Sequence, residues 1–112
     1  MKVAEVQKFE LSKNPHNVET RIIYDTEKAM MVHILLKPGE SLKRHITPVD
    51  VAFYVLEGHG IVEIGDEKRE VGPDTIIESP ARIPHRWINE TDKNIRILVI
   101  KLPKPKDKTV VL

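Results

Sequence analysis

Histidine is the residue type in this chain best suited to chemistry, and three of the five histidines fall in segments with strand character. These are His33, His45 and His85. A lone strand histidine is more often a hydrogen-bonded core or surface residue than a ligand, but three in one small β domain can converge on a metal ion or a substrate. We expect His16, in an Asn-Pro turn, and His59, between two glycines, to be exposed loop residues.

The composition limits the chemistry that these histidines can support. The chain has no cysteine, so a thiolate metal site and a cysteine nucleophile are excluded, and any metal must be held by histidine and oxygen. Its 18 basic and 17 acidic residues are interleaved, which argues against a nucleic-acid partner. Because no apolar run is long enough to span a membrane and the first residues do not resemble a signal peptide, we expect a cytoplasmic protein with no membrane partner.

Short runs of Val, Ile and aromatic residues alternate with Gly, Pro, Asn and Asp, which predicts an all-β domain. The predicted strand segments cover residues 3–11, 19–24, 29–37, 51–56, 61–64, 68–71, 75–79, 85–89 and 94–102. Two of these runs, 51–56 and 94–102, are apolar at both parities, which predicts that both faces are covered and favours a homodimer. We expect one domain over residues 1–102 and a Pro- and Lys-rich tail over 103–112, disordered to about residue 108 and frayed at its end.

Two spaced motifs link the predicted strands. In the first, five residues separate Gly39 from His45-Ile46-Thr47, and six residues separate Val51 from Gly58. In the second, Gly72 precedes Pro80-Ala81-Arg82, and His85 is followed three residues later by Asn89. These spacings resemble the two motifs of the cupin family. The resemblance implies a cupin double-stranded β-helix, that is, a jelly-roll barrel of two antiparallel sheets.

The same resemblance implies a metal site, but an incomplete one. In metal-binding cupins, two histidines and a glutamate of the first motif and one histidine of the second converge on a divalent ion, usually Fe, Mn, Ni or Zn. By this resemblance His45 and His85 are the metal ligands here. Thr47 replaces the second histidine, Val51 replaces the glutamate, and neither is a good ligand for a transition metal.

Two residues are candidates for a third ligand. His33 lies on the strand that enters the Pro-Gly turn, from which family members often present a side chain to the pocket. Asp50 stands one residue before the glutamate position, and a β-bulge near the Pro48 bend would rotate it inward.

The rest of the pocket is predicted to be mostly apolar, because alternation along the strands continues the parity of the motif residues. The predicted ligand-pocket residues are Thr47, Phe53, Trp87, Leu98 and Ile100. For each of them the alternative is ordinary core packing.

These features leave three hypotheses. The first is a divalent-metal-dependent enzyme acting on a small organic molecule, of oxygenase, decarboxylase or isomerase type, or a metal-free variant with His45 or His85 as general base. The second is a metal-free module that binds a small molecule, and the third is a structural or regulatory dimeric subunit. The sequence identifies neither the substrate nor a catalytic residue.

Overall fold

The computed structural model describes residues 1–112 and is almost entirely β-sheet. The segment 3–11 forms no strand: it contains a single 3-10 turn, Val6–Lys8, and none of that turn's residues is buried. The strands are β1 (Glu19–Asp25), β2 (Met30–Leu36), β3 (His45–Ile46), β4 (Asp50–Glu57), β5 (Gly60–Ile64), β6 (Glu67–Val71), β7 (Ile76–Ser79), β8 (His85–Ile88), β9 (Ile95–Leu102) and β10 (Val110–Val111). None of the helical structure has the length or apolar character needed to cross a membrane.

The strands form two five-stranded antiparallel sheets that pack face to face. Sheet A has the order β1-β2-β9-β4-β7, and sheet B has the order β10-β3-β8-β5-β6. Strands distant in sequence are neighbours in both sheets, as the jelly roll requires. The predicted all-β double-stranded β-helix of two antiparallel sheets is confirmed.

Inward-facing side chains of both sheets fill the space between them. On β4 these are Val51, Phe53 and Val55, which alternate with less buried neighbours. Trp87, on β8, is fully buried and belongs to the same core cluster of 12 residues. Burial of this alternating set fixes the register, because a slip of one residue would turn the whole row outward.

The inward row of β9 differs from the prediction. Ile95, Ile97 and Val99 are buried, whereas Leu98 and Ile100, predicted to line the pocket, lie on the opposite face and are only half-buried. Since this strand is apolar at both parities, the period of two could not choose between its faces. The pairing of β9 with β2 and β4 determines which of its faces points into the barrel.

The outer surface of sheet A carries aligned rows of apolar side chains. Tyr54 pairs with both Leu98 and Ile76, and Ala52 pairs with Ile100, which in turn pairs with Met31. Tyr24 continues the second row on β1. We call the set Tyr24, Met31, Ala52, Tyr54, Leu98 and Ile100 the outer apolar face.

The C-terminal residues return to the barrel. Val110 and Val111 form β10 and pair with Ile46 and His45 of β3, and the Leu112 N–H donates to the Arg44 carbonyl at 3.0 Å. The expected fraying of the terminus is therefore wrong. Without the terminus, β3 would be an edge strand with unpaired backbone N–H and C=O groups. Val110 and Val111 pair with those groups, and β-branched residues of this type favour the strand conformation.

Candidate functional site

A cavity of about 210 Å³ opens between the two sheets. Its wall carries His16, His45 and His85, with Lys13 and Lys101, and no aspartate or glutamate. The rest of the wall combines apolar side chains, mostly of β2, β4 and β9, with the uncharged polar residues Ser12, Asn14, Thr20, Thr47 and Thr109. The volume lies below the roughly 300–1,000 Å³ typical of pockets for drug-sized molecules. The cavity therefore suits a small ligand.

The two motif histidines meet in this cavity. His45 and His85 are direct partners across β3 and β8, and their ring centroids are 4.5 Å apart in an edge-to-face arrangement. The ring centroid of Phe53 lies 5.2 Å from that of His85 and 5.6 Å from that of Trp87. Of the predicted pocket residues, Thr47 and Phe53 line the cavity, whereas Trp87 lies behind Phe53 and does not reach it.

The structure adds a third histidine that the sequence did not indicate. The ring centroid of His16 lies 4.6 Å from that of His45. Its loop is folded by Asn14, whose amide donates to the Val18 carbonyl at 2.8 Å and whose Oδ1 accepts from the His16 N–H at 3.0 Å. This is the turn that Asn-Pro predicted. The turn aims His16 back at the barrel, where solvent exposure was expected.

The backbone of one residue, Lys43, fixes His16 and His45 in opposite tautomers. The backbone N–H of Lys43 donates to Nδ1 of His16 at 2.8 Å, so neutral His16 carries its proton on Nε2. Nδ1 of His45 donates to the Lys43 carbonyl at 2.7 Å, so neutral His45 has a free lone pair on Nε2. The cavity therefore receives a hydrogen-bond donor from one ring and an acceptor from the other.

His85 is held at both ring nitrogens. Its Nδ1 lies 2.7 Å from the Ser79 hydroxyl, and its Nε2 lies 3.2 Å from the Thr47 hydroxyl. In the neutral ring one nitrogen donates and the other accepts, so the two hydroxyls take opposite roles. These bonds orient the imidazole and occupy the nitrogen that a ligand would otherwise use.

Burial keeps the three rings uncharged at neutral pH. It lowers the pKa of His85 to about 3, with the charges of His45 and Lys101 as further causes. It lowers the pKa of His16 to about 4, again with His45 and the nearby lysines contributing. Burial also lowers the pKa of His45, although the bond to the Lys43 carbonyl opposes that shift. Removal from water penalises the protonated form in each case.

Lys101 is the second residue that sequence reasoning missed. It shares the inward parity of Val99 on β9 and pairs directly with Val51 on β4. Its side chain is half-buried in the cavity wall and forms no salt bridge or side-chain hydrogen bond. Burial lowers the pKa of its amine. Lys101 is one of only two charged residues in this strand, the other being Arg96 on the opposite face, and its inward parity became clear only from the pairing of β9 with β4.

Neither candidate third ligand reaches the cavity. His33 is buried on the outer side of β2, where its Nε2 accepts from Nε of Arg96 at 3.1 Å and its Nδ1 has no partner. Its neighbours Val32 and Ile34 face inward instead. Asp50 is exposed, and its Oδ1 accepts from the Ala81 N–H at 2.8 Å. Its strand contains no bulge at that point that would rotate it inward.

These residues do not fit a divalent metal ion. Val51 stands where the metal-binding members of the family carry glutamate, and Nε2 of His85 is engaged by Thr47. His16 presents an N–H, which is not a ligand. No group of three or more His, Asp or Glu side chains is arranged to hold a metal, and the amine of Lys101 adds positive charge to the cavity.

Comparison with known proteins agrees with the architecture. The model of the Cupin_2 family, described as a cupin domain, matches residues 32–101. An uncharacterized protein of Methanocaldococcus jannaschii is 29% identical over 83 residues, which are 72% of this chain and 66% of the relative. The match thus spans just under two thirds of that relative.

Solved structures share the whole fold. The TT1209 protein of Thermus thermophilus is 26% identical, with a TM-score of 0.79 over 94% of this chain and 100% of its own. The polyketide cyclase RemF of Streptomyces resistomycificus is 20% identical, with a TM-score of 0.85 over 100% of this chain and 85% of its own. The DMSP lyase DddQ of Ruegeria pomeroyi is 15% identical, with a TM-score of 0.78 over 97% and 59%. With the family model matching more than half of its length, the chain belongs to the Cupin_2 family of cupin domains.

Proposed function

We propose that this cupin binds a small organic anion without a metal, and that the ammonium group of Lys101 provides the cation. The observation that carries the proposal is the register of β4 and β9. Lys101 pairs with Val51, the residue that replaces the family's glutamate. A carboxylate ligand has been replaced by an apolar residue, and a cation extends from the adjacent position on the next strand.

The electrostatics of the cavity support an anionic ligand. A partly buried ammonium without a counter-charge is unfavourable, because it loses hydration and gains no ion pair. No acidic side chain lines the cavity, so an incoming carboxylate would be the first negative charge that Lys101 meets there. The three neutral imidazoles do not compete for the anion.

The remaining wall supports the organic part of such a ligand. His16 offers an Nε2–H donor and His45 an Nε2 acceptor. Val32, Ile34 and Phe53 supply an apolar surface. A ligand of few heavy atoms with one anionic group, one further oxygen and a short apolar portion would satisfy all of these groups.

Binding of small carboxylates to matched lysine variants tests this proposal. Calorimetric titration with acetate, pyruvate, lactate and benzoate should detect binding to the native chain and to Lys101→Arg, which keeps the positive charge. Lys101→Met should bind at least about tenfold more weakly, because a charge-assisted hydrogen bond contributes about 1.5–3 kcal/mol. The exposed Lys68→Met is the control. Equal affinity of Lys101→Met and the native chain would refute the proposal, as would stoichiometric binding of Fe, Mn, Ni or Zn that requires both His45 and His85.

We also propose that the chain forms a homodimer through the outer apolar face. These six half-exposed or exposed side chains are contiguous across four strands of sheet A, and contiguous apolar surface of this kind usually marks an interface. Light scattering should therefore give twice the chain mass. Leu98→Lys should give a monomer, and Lys68→Glu, on sheet B, should leave the mass unchanged. A monomeric native chain at tens of micromolar would contradict the proposal.

A further inference from the structure

We infer that Lys101 is a nucleophile that forms an imine with small aldehydes, ketones or 2-oxo acids admitted to the cavity. The inference rests on the proposed function in one respect, namely that the cavity admits small organic molecules. It goes further by assigning covalent chemistry to the amine.

Three features of the cavity favour a reactive amine at this position. The side chain reaches the cavity from a core strand of the barrel, with β2 on one side and β4 on the other. It has no carboxylate to hold it as an ammonium ion. Burial disfavours its charged form and lowers its pKa, which increases the fraction present as free amine near neutral pH. A surface lysine on a mixed-charge face has none of these features.

The neighbouring side chains can carry the protons that imine formation moves. The Nζ lone pair attacks the carbonyl carbon as the C=O π bond breaks, and one of the two protons on the neutral amine passes to the oxygen, which becomes the hydroxyl of a carbinolamine. Nε2 of His45, whose lone pair is free because Nδ1 is bonded to the Lys43 carbonyl, accepts a proton from the nitrogen and returns it to that hydroxyl. The hydroxyl then leaves as water, a C=N bond forms, and no oxidant or reductant is needed.

Reductive trapping locates the reactive amine. The native chain is incubated at pH 7 with a small excess of pyruvate or propanal and sodium cyanoborohydride, and the labelled sites are mapped by peptide mass spectrometry. We expect Lys101 to be labelled measurably faster than the average surface lysine, since burial lowers its pKa and so increases the fraction present as free amine. The rate at Lys101 should level off at a pH below the ordinary lysine value of about 10.4.

Two variants separate a reactive Lys101 from ordinary surface labelling. Lys101→Arg should lose the fast label, whereas Lys68→Met should retain both the fast label and carboxylate binding. His45→Gln should slow trapping at Lys101 at least about tenfold, with its fold checked by the unfolding transition. Label spread evenly over the lysines, or equal fast labelling in Lys101→Arg, would overturn the inference.

The outcomes also distinguish the inference from the proposed function. Carboxylate binding without selective trapping would overturn the imine and leave the anion site standing. Selective trapping of propanal without carboxylate binding would refute the anion site and support the nucleophile. Absence of both binding and trapping would overturn both.

Discussion

Acidification should destabilise this barrel through its buried histidines, and His85 allows the effect to be calculated. Its pKa is about 3 in the folded chain, against 6.5 for the unperturbed group. Between these two pKa values the unfolded chain binds a proton at His85 and the folded chain does not. The free energy of unfolding is therefore greatest above pH 6.5 and falls as the pH drops toward 3. Between pH 7 and pH 5.5 the linkage relation gives a loss of about 1.3 kcal/mol from this one group.

Urea unfolding followed by the fluorescence of Trp87, the only tryptophan, measures this loss directly. Transitions at pH 7, 6.5, 6 and 5.5 should show the native chain losing stability steadily, since His16, His33 and His45 are shifted in the same direction. His85→Gln should lose about 1.3 kcal/mol less than the native chain over this interval. The exposed His59→Gln should follow the native chain. An identical pH dependence in His85→Gln would refute the view that His85 is held neutral by burial.

Three further changes should alter stability by amounts that follow from local contacts, and the same urea titration, or circular dichroism where Trp87 is removed, measures them. Trp87→Ala should cost about 3–5 kcal/mol, because the fully buried ring packs on Phe53. Ser79→Ala should cost about 1–3 kcal/mol by leaving Nδ1 of His85 without its partner, and Ser79→Thr, which keeps the hydroxyl, should cost less. Gly58→Ala should cost more than the ordinary cost of about 1–2 kcal/mol for a left-handed backbone, because the glycine has φ +83° and an added Cβ would meet the Asn94 carbonyl oxygen. A cost below about 1 kcal/mol at any of these three positions would contradict the contact described for it.

Much of the architecture could be predicted from local sequence. Glycine and proline end the strands, and the spacing around His45 and His85 identified a jelly roll whose motif residues meet. The inward rows of β4 and β8 were also predictable, because the motif residues fix their parity. Parity extends along a strand, so Phe53 followed from Val51 and Trp87 from His85.

The faces of β2 and β9 were not predictable in the same way. Both strands are apolar on two sides, so neither His33 nor Leu98 could be assigned a direction until the pairing partners were known. The error on β9 had a large effect, since it exchanged Leu98 and Ile100 for Val99 and Lys101. Because adjacent residues of a strand point to opposite faces, assigning β9 the wrong inward face left Lys101 out of the predicted cavity.

The contribution of His16 was unpredictable for a different reason. Its neighbours in sequence predict a turn, and the turn is present. Its direction depends on the bond between Nδ1 and the Lys43 backbone, a partner 27 residues away in the chain. Long-range side-chain to backbone bonds of this kind leave no local pattern in the sequence.

The shortness of β3 bears on how a ligand enters the cavity. This strand has only two residues, with one partner pair on β8 and two on β10, so few hydrogen bonds must break for it to separate from its neighbours. Segments of this kind open by local fluctuation at a small fraction of the global unfolding free energy. We therefore expect the backbone amides next to His45 to exchange more readily than those of the longer strands. Passage into the interior can occur through brief opening at this strand while the eight longer strands stay paired.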